Sequence, residues 1–303
     1  MADIRLVTSL EEAEKLWRRL SPQRTIFDDW DFRACFYKYN PHPLRFYVAQ
    51  EKMASGDFEA VGLLPLMLHP EHGLEFFAED PCEENRVFTR AGYERVIPDL
   101  YGQIQEKAQF LDISGEDDFT RQLELEDYKY LLPLDGLKSF DDFLDKRLSA
   151  KRRRGLRSEL ARLAVEKVET YLFNVNGRDD LDQLFAFNLK TFGLESYLIK
   201  EEQPAWRDIW QKFPGARLSV LTIGGESQAV SLSIIYNNHW HYLITGVNFQ
   251  DWPGLGKYLV KANIEEAIVA GCTMFDAGLG DCGWKDIWHL DRLPQYQFAK
   301  FVD

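Results

Sequence analysis

The chain has 303 residues, 45% of them hydrophobic and 14% aromatic, with a formal net charge of −13 and a pI near 5.0. So much apolar material excludes a disordered chain and suffices for two ordinary domains. The acidity counts against whole-surface binding of nucleic acid or an anionic membrane, and no apolar run approaches the roughly 18 residues of a membrane span.

In chain order, "DIRLVT" reads as a strand and "SLEEAEKLWRRL" as a helix opened by a capping box of Ser9 and Glu12. "DDWDFRACFYKYN" is a second helix, stopped by Asn40 and Pro41. "LRFYVAQ" and "EAVGLLPLML" are strands joined by the turn-rich "EKMASGDF", which predicts an antiparallel hairpin. A helix is expected over "YERVIPDLYGQIQEKA", with Pro98 a kink or boundary. "QFLDIS" and "YKYLLPL" close the first half as strands.

A long helix is expected over "SFDDFLDKRLSAKRRRGLRSELARLA". Leu144, Leu148, Leu156, Leu160 and Leu163 give it an apolar stripe with one gap, and Gly155 offers a bend. After it come the strand "VEKVETYLFN", the helices "DDLDQLFAFNLKTFG" and "AWRDIWQKF", and the strands "ARLSVLTIG", "QAVSLSIIYN" and "HWHYLITGVN". The helix "PGLGKYLVKANIEEAIVAG" and the strand "CTMFDAG" follow. This order excludes a purely parallel βαβ sheet. It predicts an α/β protein of two domains, each a largely antiparallel mixed sheet flanked by helices. The expected boundaries are 1–138, a basic linking helix at 139–165, and 166–303.

Two glycine turns and one basic run carry the chemistry. Gly278, Gly280 and Gly283 in "GLGDCG" satisfy G-x-G-x-x-G, but a dinucleotide fold needs a long helix and a further strand beyond it. Those glycines read instead as turn residues with positive φ. In "DWPGLGK", Pro253, Gly254 and Gly256 open a helix directly after a strand. Their uncovered amides suit a pyrophosphate, with Lys257 adding a point charge; close packing is the alternative reason for the glycines. The basic run is Lys146, Arg147, Lys151, Arg152, Arg153, Arg154 and Arg157, with no acid among residues 146–157. It reads either as a solvated helix face or as an anion site at Arg152, Arg153 and Arg154.

The six histidines are scattered, and no metal site is expected. His239 and His241 share one face of a strand and read as surface or half-buried residues. The cysteines at 35, 82, 272 and 282 form no CxxC pair and no secretory leader opens the chain, so a cytoplasmic protein with reduced thiols is expected.

Four motifs recur together in one family. They are a K-x-R-x-x-L-R helix (Lys151–Arg157), a Pro-Gly helix start (Pro253–Gly256), an F/Y-D-x-G strand (Phe275–Gly278), and a terminal G-x-x-x-(F/Y/W)-K element (Gly280, Trp284, Lys285). With them the second half resembles the GNAT superfamily. More narrowly, it is similar to the double-GNAT proteins related to FemABX aminoacyltransferases and CelD/BioF2-like acetyltransferases. The first half carries the resemblance only in strand order and "VGLLPLML".

The resemblance implies an N-acyltransferase that moves an acyl group from acetyl-CoA or another acyl-CoA to an amine. The acceptor would be a small molecule or peptide-like and would lie between the two domains. The Fem branch implies aminoacyl-tRNA as donor instead, and a degenerate pair of domains that only binds a ligand is the third reading. The implied donor site comprises Gly246, Val247, Trp252, Gly254, Leu255, Gly256 and Lys257. Ordinary GNAT loops read (R/Q)-x-x-G-x-(G/A), whereas here Asp251 takes the first position, an acid that would repel a pyrophosphate. Asp276 is implied as a base (or a turn residue) and Tyr197 as a proton donor to the thiolate (or a packing residue). Lys285 is implied as a ligand for a substrate carboxylate or phosphate (or an exposed lysine). Cys282 has no histidine placed to activate it.

Overall fold

The computed structural model describes residues 2–164, 167–174, 180–193, 196, 198, 200–281 and 283–301. Tyr197 and Cys282 lie outside the described residues. The elements in order are β1 (Asp3–Val7), α1 (Leu10–Leu20), α2 (Trp30–Tyr37), β2 (Leu44–Lys52), β3 (Phe58–His69), β4 (Gly73–Phe76), β5 (Phe88–Thr89), α3 (Ile97–Tyr101), β6 (Ala108–Ser114) and β7 (Glu124–Pro133). Then follow α4 (Phe140–Arg147), α5 (Ala150–Ala164), β8 (Glu169–Asn174), α6 (Leu181–Phe192), α7 (Gln203–Lys212), β9 (Ala216–Ile223), β10 (Glu226–Tyr236), β11 (His239–Val247), α8 (Leu255–Val269), β12 (Met274–Leu279) and β13 (Asp291–Lys300).

Two compact units divide the chain. The first holds the residues up to Tyr128 together with those from Pro294 onward, and the second runs over Lys129–Leu293. In the first, the strand order is β1-β2-β3-β4-β6-β13, with β5 on β3. Its pairs are antiparallel except β4 with β6, which meet in parallel at Leu74 and Ala108. The last strand of the sequence therefore completes the sheet of the first unit. Helix α1 buries Ala13, Leu16, Trp17 and Leu20, positions three and four apart, and Ser9 accepts from the Glu12 amide at its start. Trp17 then packs edge-on against Trp30, Phe77 and Phe88.

In the second unit the order is β7-β12-β11-β10-β9-β8. Only β11 with β12 is parallel; the others are antiparallel. Both units are thus mixed sheets flanked by helices, the expected fold class. Helix α8 lays Leu255, Leu259 and Ala262 against Leu221, Ala229 and Val247. Its Asn263, fully buried, accepts from the hydroxyls of Ser219 and Ser233 at 3.2 and 3.1 Å and donates to Ser231 and the Leu259 carbonyl. A buried amide with partners on two strands fixes the helix in register as apolar contacts alone do not.

Two helix expectations need correction. The stretch beginning at Tyr93 yields only a 3₁₀ turn (Glu94–Val96) and the five-residue α3, because the chain turns at Gly102. The long basic helix is two helices, and the break is not at Gly155. Leu148 is extended (φ −109°, ψ 141°) and buried, while the Ser149 hydroxyl accepts from the Arg152 amide at 3.4 Å and caps α5. A serine after an apolar anchor restarts the helix more effectively than a mid-helix glycine bends it. Among the described residues no helix is long and apolar enough to cross a membrane.

Candidate active site

Three strands of the second unit bring charged side chains to one buried point. The parallel register of β11 and β12 covers His239↔Met274, Trp240↔Phe275 and His241↔Asp276. It stops there, although β11 continues to Val247. On its other side β12 pairs Asp276 with Leu131 of β7, then shifts register before Leu279 meets Lys129. Asp276 therefore stands where one ladder ends and the other slips.

Its carboxylate is fully engaged. Lys129 Nζ lies 2.8 Å and His241 Nδ1 3.1 Å from Oδ2, and Oδ1 accepts from the Gly278 amide at 3.0 Å. Lys129, His241 and Asp276 are only 1%, 1% and 3% exposed. Burial would raise the Asp276 carboxyl, but the Lys129 ammonium and the His241 hydrogen bond outweigh it and hold the group well below the usual carboxylate range. The neighbouring His239, whose ring centroid is 5.9 Å from that of His241, is pushed down by burial first and by His241 second.

Beyond Asp276 the chain turns through Gly278, Gly280 and Gly283, all at positive φ (76°, 66° and 81°), as the turn reading of "GLGDCG" expects. Lys285, buried at the end of this turn, reaches back to donate to the carbonyl of Gly278 at 2.9 Å and to that of Leu279. Its ammonium also sits over the rings of Tyr130 (5.0 Å) and Trp284 (5.6 Å).

The other glycine turn joins β11 to α8. A Cβ on Gly246 would fall 2.2 Å from the Leu184 carbonyl, so glycine there lets α6 press onto the strand. Gly254 is the left-handed N-cap of α8 (φ 95°). Val247 and Leu255 are buried and Trp252 packs on the same cluster. The Asp251 carboxylate accepts from the Asn248 side chain at 2.8 Å. Lys257 is ion-paired with Glu159 of α5.

Beside the turn, α5 forms one wall of a cleft of about 540 Å³ lined by Lys151, Arg152, Leu156, Glu159, Lys257 and Asp286. Arg152 also borders a neighbouring hollow of about 420 Å³ with Arg147 and His289. It donates to the Asp286 carbonyl at 3.2 Å and contacts the His289 ring. Arg153 turns back to Asp145 at 2.8 Å, and Arg154 to the Ala150 carbonyl at 3.3 Å.

Residues 150–286, which hold this cleft, the turn and two of the three clustered buried side chains, match the family described as "Acetyltransferase (GNAT) domain". The second unit carries a GNAT domain. Solved structures extend the likeness to the whole chain, at the level of fold. The C-terminal domain (DUF2156) of a protein described as a lysylphosphatidylglycerol synthetase, from Agrobacterium fabrum, aligns with a TM-score of 0.60 at 13% identity, over 96% of this chain and 93% of that one. FemX aligns with a TM-score of 0.58 at 10% identity, over 99% and 97%. A tandem GNAT protein from the clavulanic acid biosynthesis pathway aligns with a TM-score of 0.53 at 11% identity, over 100% of both chains. The chain has the double-GNAT fold. It has no significant match among curated proteins.

Within the GNAT domain, Asp276 and Lys285 share the same turn, and Arg152 and Lys257 share one cleft. Arg153 and Arg154 bond within their own helix pair instead of lining it. Lys129 escaped the sequence reading, and His241, read there as a surface or half-buried residue, is buried because Asp276 and Lys129 enclose it. A lone lysine inside the apolar "YKYLLPL" was a usable signal, since an apolar strand buries a cation only against a partner. His241 had no such signal, because its partner lies thirty-five positions away.

Proposed function

We propose that the chain is an N-acyltransferase that moves an acyl group from acyl-CoA, acetyl-CoA in the simplest case, to the amine of a small-molecule or peptide-like acceptor. The observation that carries the reading is the end of β11–β12 pairing at His241 and Asp276, followed by the Gly254-capped start of α8. Where parallel strands part, unpaired backbone N–H and C=O groups suit an amide-bearing arm such as pantetheine. The N-terminus of a helix suits the pyrophosphate. Asp251, the residue that argues against such a donor, has its carboxylate tied to Asn248.

In this reading Gly246 and Val247 offer backbone groups to the donor arm, with Trp252 beside it and Leu255 buried behind the turn. The amides of Gly254 and Gly256 face the phosphates, and Lys257 joins them by exchanging Glu159 for phosphate. The attacking amine must be neutral, and the tetrahedral oxyanion needs donors. Asp276, held ionised and weakly basic, is suited to orienting His241 rather than to taking the proton itself. Lys285 anchors the turn after β12, and Tyr197 is proposed as the proton donor to the departing thiolate.

One observation favours aminoacyl-tRNA as an alternative donor. Lys151, Arg152 and Lys257 line a cleft beside the turn, which would suit nucleotide phosphates, with Arg153 and Arg154 on the same helix. Thermal unfolding with each donor separates the readings. Millimolar acetyl-CoA should raise Tm by several degrees and support transfer of a labelled acetyl group to an amine. If it does neither, while salt-dependent aminoacyl-tRNA binding is lost in an Arg152→Glu, Arg154→Glu variant, the donor is tRNA. Failure of both donors leaves a binding protein and ends the transferase reading.

A further inference from the structure

Three of the six histidines, His42, His69 and His72, stand outside the GNAT domain, in the first unit. The sequence separates His42 from the others, but strand register reunites them. The β2–β3 ladder pairs Leu44 with Met67, and its bonding continues outward as the Leu68 amide donates to the Pro43 carbonyl at 2.9 Å. His42 thereby comes opposite His69. The β3–β4 ladder sets Glu75 opposite Met67, on the same face as His69 two residues along, and His72 lies in the connecting turn.

The rings of His42 and His69 lie 4.7 Å apart between centroids, and those of His69 and His72 4.4 Å apart. One ligand atom from each of His69, His72 and Glu75 falls within 4.8 Å of the others. We propose that His69, His72 and Glu75 form a divalent transition-metal site of the zinc class, with His42 closing its buried side.

The donor set selects the ion. Two or three imidazoles with one carboxylate suit zinc, cobalt or nickel, whereas magnesium and calcium take oxygen donors. With metal–ligand bonds of about 2.0–2.2 Å, tetrahedral ligand atoms stand roughly 3.4 Å apart. The side chains therefore close by about an ångström, within the reach of χ rotations in an exposed turn.

His69 Nδ1 now accepts from the amides of Glu71 and His72, at 3.2 and 3.3 Å. Both contacts are long, and both donors lie in the exposed turn where water replaces the bond, so this lone pair can pass to a cation. His42 Nε2 is buried without a hydrogen-bond partner, which is costly for an imidazole nitrogen unless something outside the protein occupies it. Asp80 acts electrostatically on both Glu75 and His72 and adds negative charge to the site. The His72 side chain is 53% exposed, which leaves a path for a hydrated ion.

The test is titration of chelator-treated full-length protein with zinc chloride against a chromophoric chelator, and separately with cobalt chloride. One zinc per chain with low-micromolar or tighter affinity is expected, together with the visible absorption of four-coordinate cobalt. His72→Gln, in the exposed turn, and Glu75→Gln, at a half-buried strand position, both checked for folding by circular dichroism, should each weaken zinc at least about tenfold. His289→Gln, in the other unit, should leave it unchanged. Zinc weaker than about 100 μM, or an affinity that neither variant alters, overturns the site.

Discussion

In the first unit, buried arginines are gripped by loops; in the second, Lys285 is held by a turn but Lys129 ties neighbouring strands. Arg33 donates to four carbonyls, those of Phe27, Phe77, Ala78 and Glu84. Arg86 faces Asp28, Glu84 and Glu116. These partners come from segments distant in sequence, and the guanidinium's planar fork of donors can serve several at once. Lys129 works differently, as a point charge against one carboxylate on the adjacent strand, which also holds His241. Loops need many fixed directions to be ordered. Strands are already ordered by their ladders, so a single charge can be spent on setting the ionisation and orientation of a site.

That contrast can be broken by mutation. The largest effect is expected from Lys129→Met, which leaves Asp276 buried without its cation and should cost about 3–5 kcal/mol in urea unfolding. A loss under about 1 kcal/mol would mean that the strand cation is not what keeps Asp276 ionised.

Arg33→Lys keeps the charge and removes the fork. Orphaned carbonyls should cost about 2–3 kcal/mol. If lysine is tolerated, the directional argument for the loops falls and the two units become alike.

Gly246→Ala probes packing in the second unit without touching charge. Its methyl would meet the Leu184 carbonyl, so a cost of about 1–3 kcal/mol is expected, read as a lower urea midpoint.

The smallest effect is in pH dependence. Asp276 is depressed in the folded state, so its contribution to stability is complete above its unfolded value of about 3.9 and fades as pH falls through the folded one. Between neutral pH and about pH 3, wild-type stability should therefore fall more steeply than that of Asp276→Asn. Parallel slopes would show that Asp276 titrates normally.

Local signals in the sequence located most elements. The Ser9 cap, the hairpin around "EKMASGDF" and the glycines of "GLGDCG" each act over a few residues, and each has the expected place. Errors arose where a local rule met a local competitor, as at Ser149, whose capping hydroxyl divides a helix that reads as one in the sequence. The candidate site was half legible. Asp276 and Lys285 announced themselves in two neighbouring motifs, but Lys129 and His241 join them only through the sheet. The histidines at 42, 69 and 72 were likewise invisible as a group, since a register linking residues some twenty-seven positions apart carries no spacing signature.

The pairing of β13 with β6 has a consequence in time. The strand that completes the first unit is translated only after the whole of the second. At a synthesis rate of about 5–20 residues per second, the β6 edge waits on the order of ten seconds or more for its partner. During that interval strands β8–β12 of the second unit can already pair while the first still offers an open strand edge. A nascent chain is therefore most in need of protection at the half that left the ribosome first.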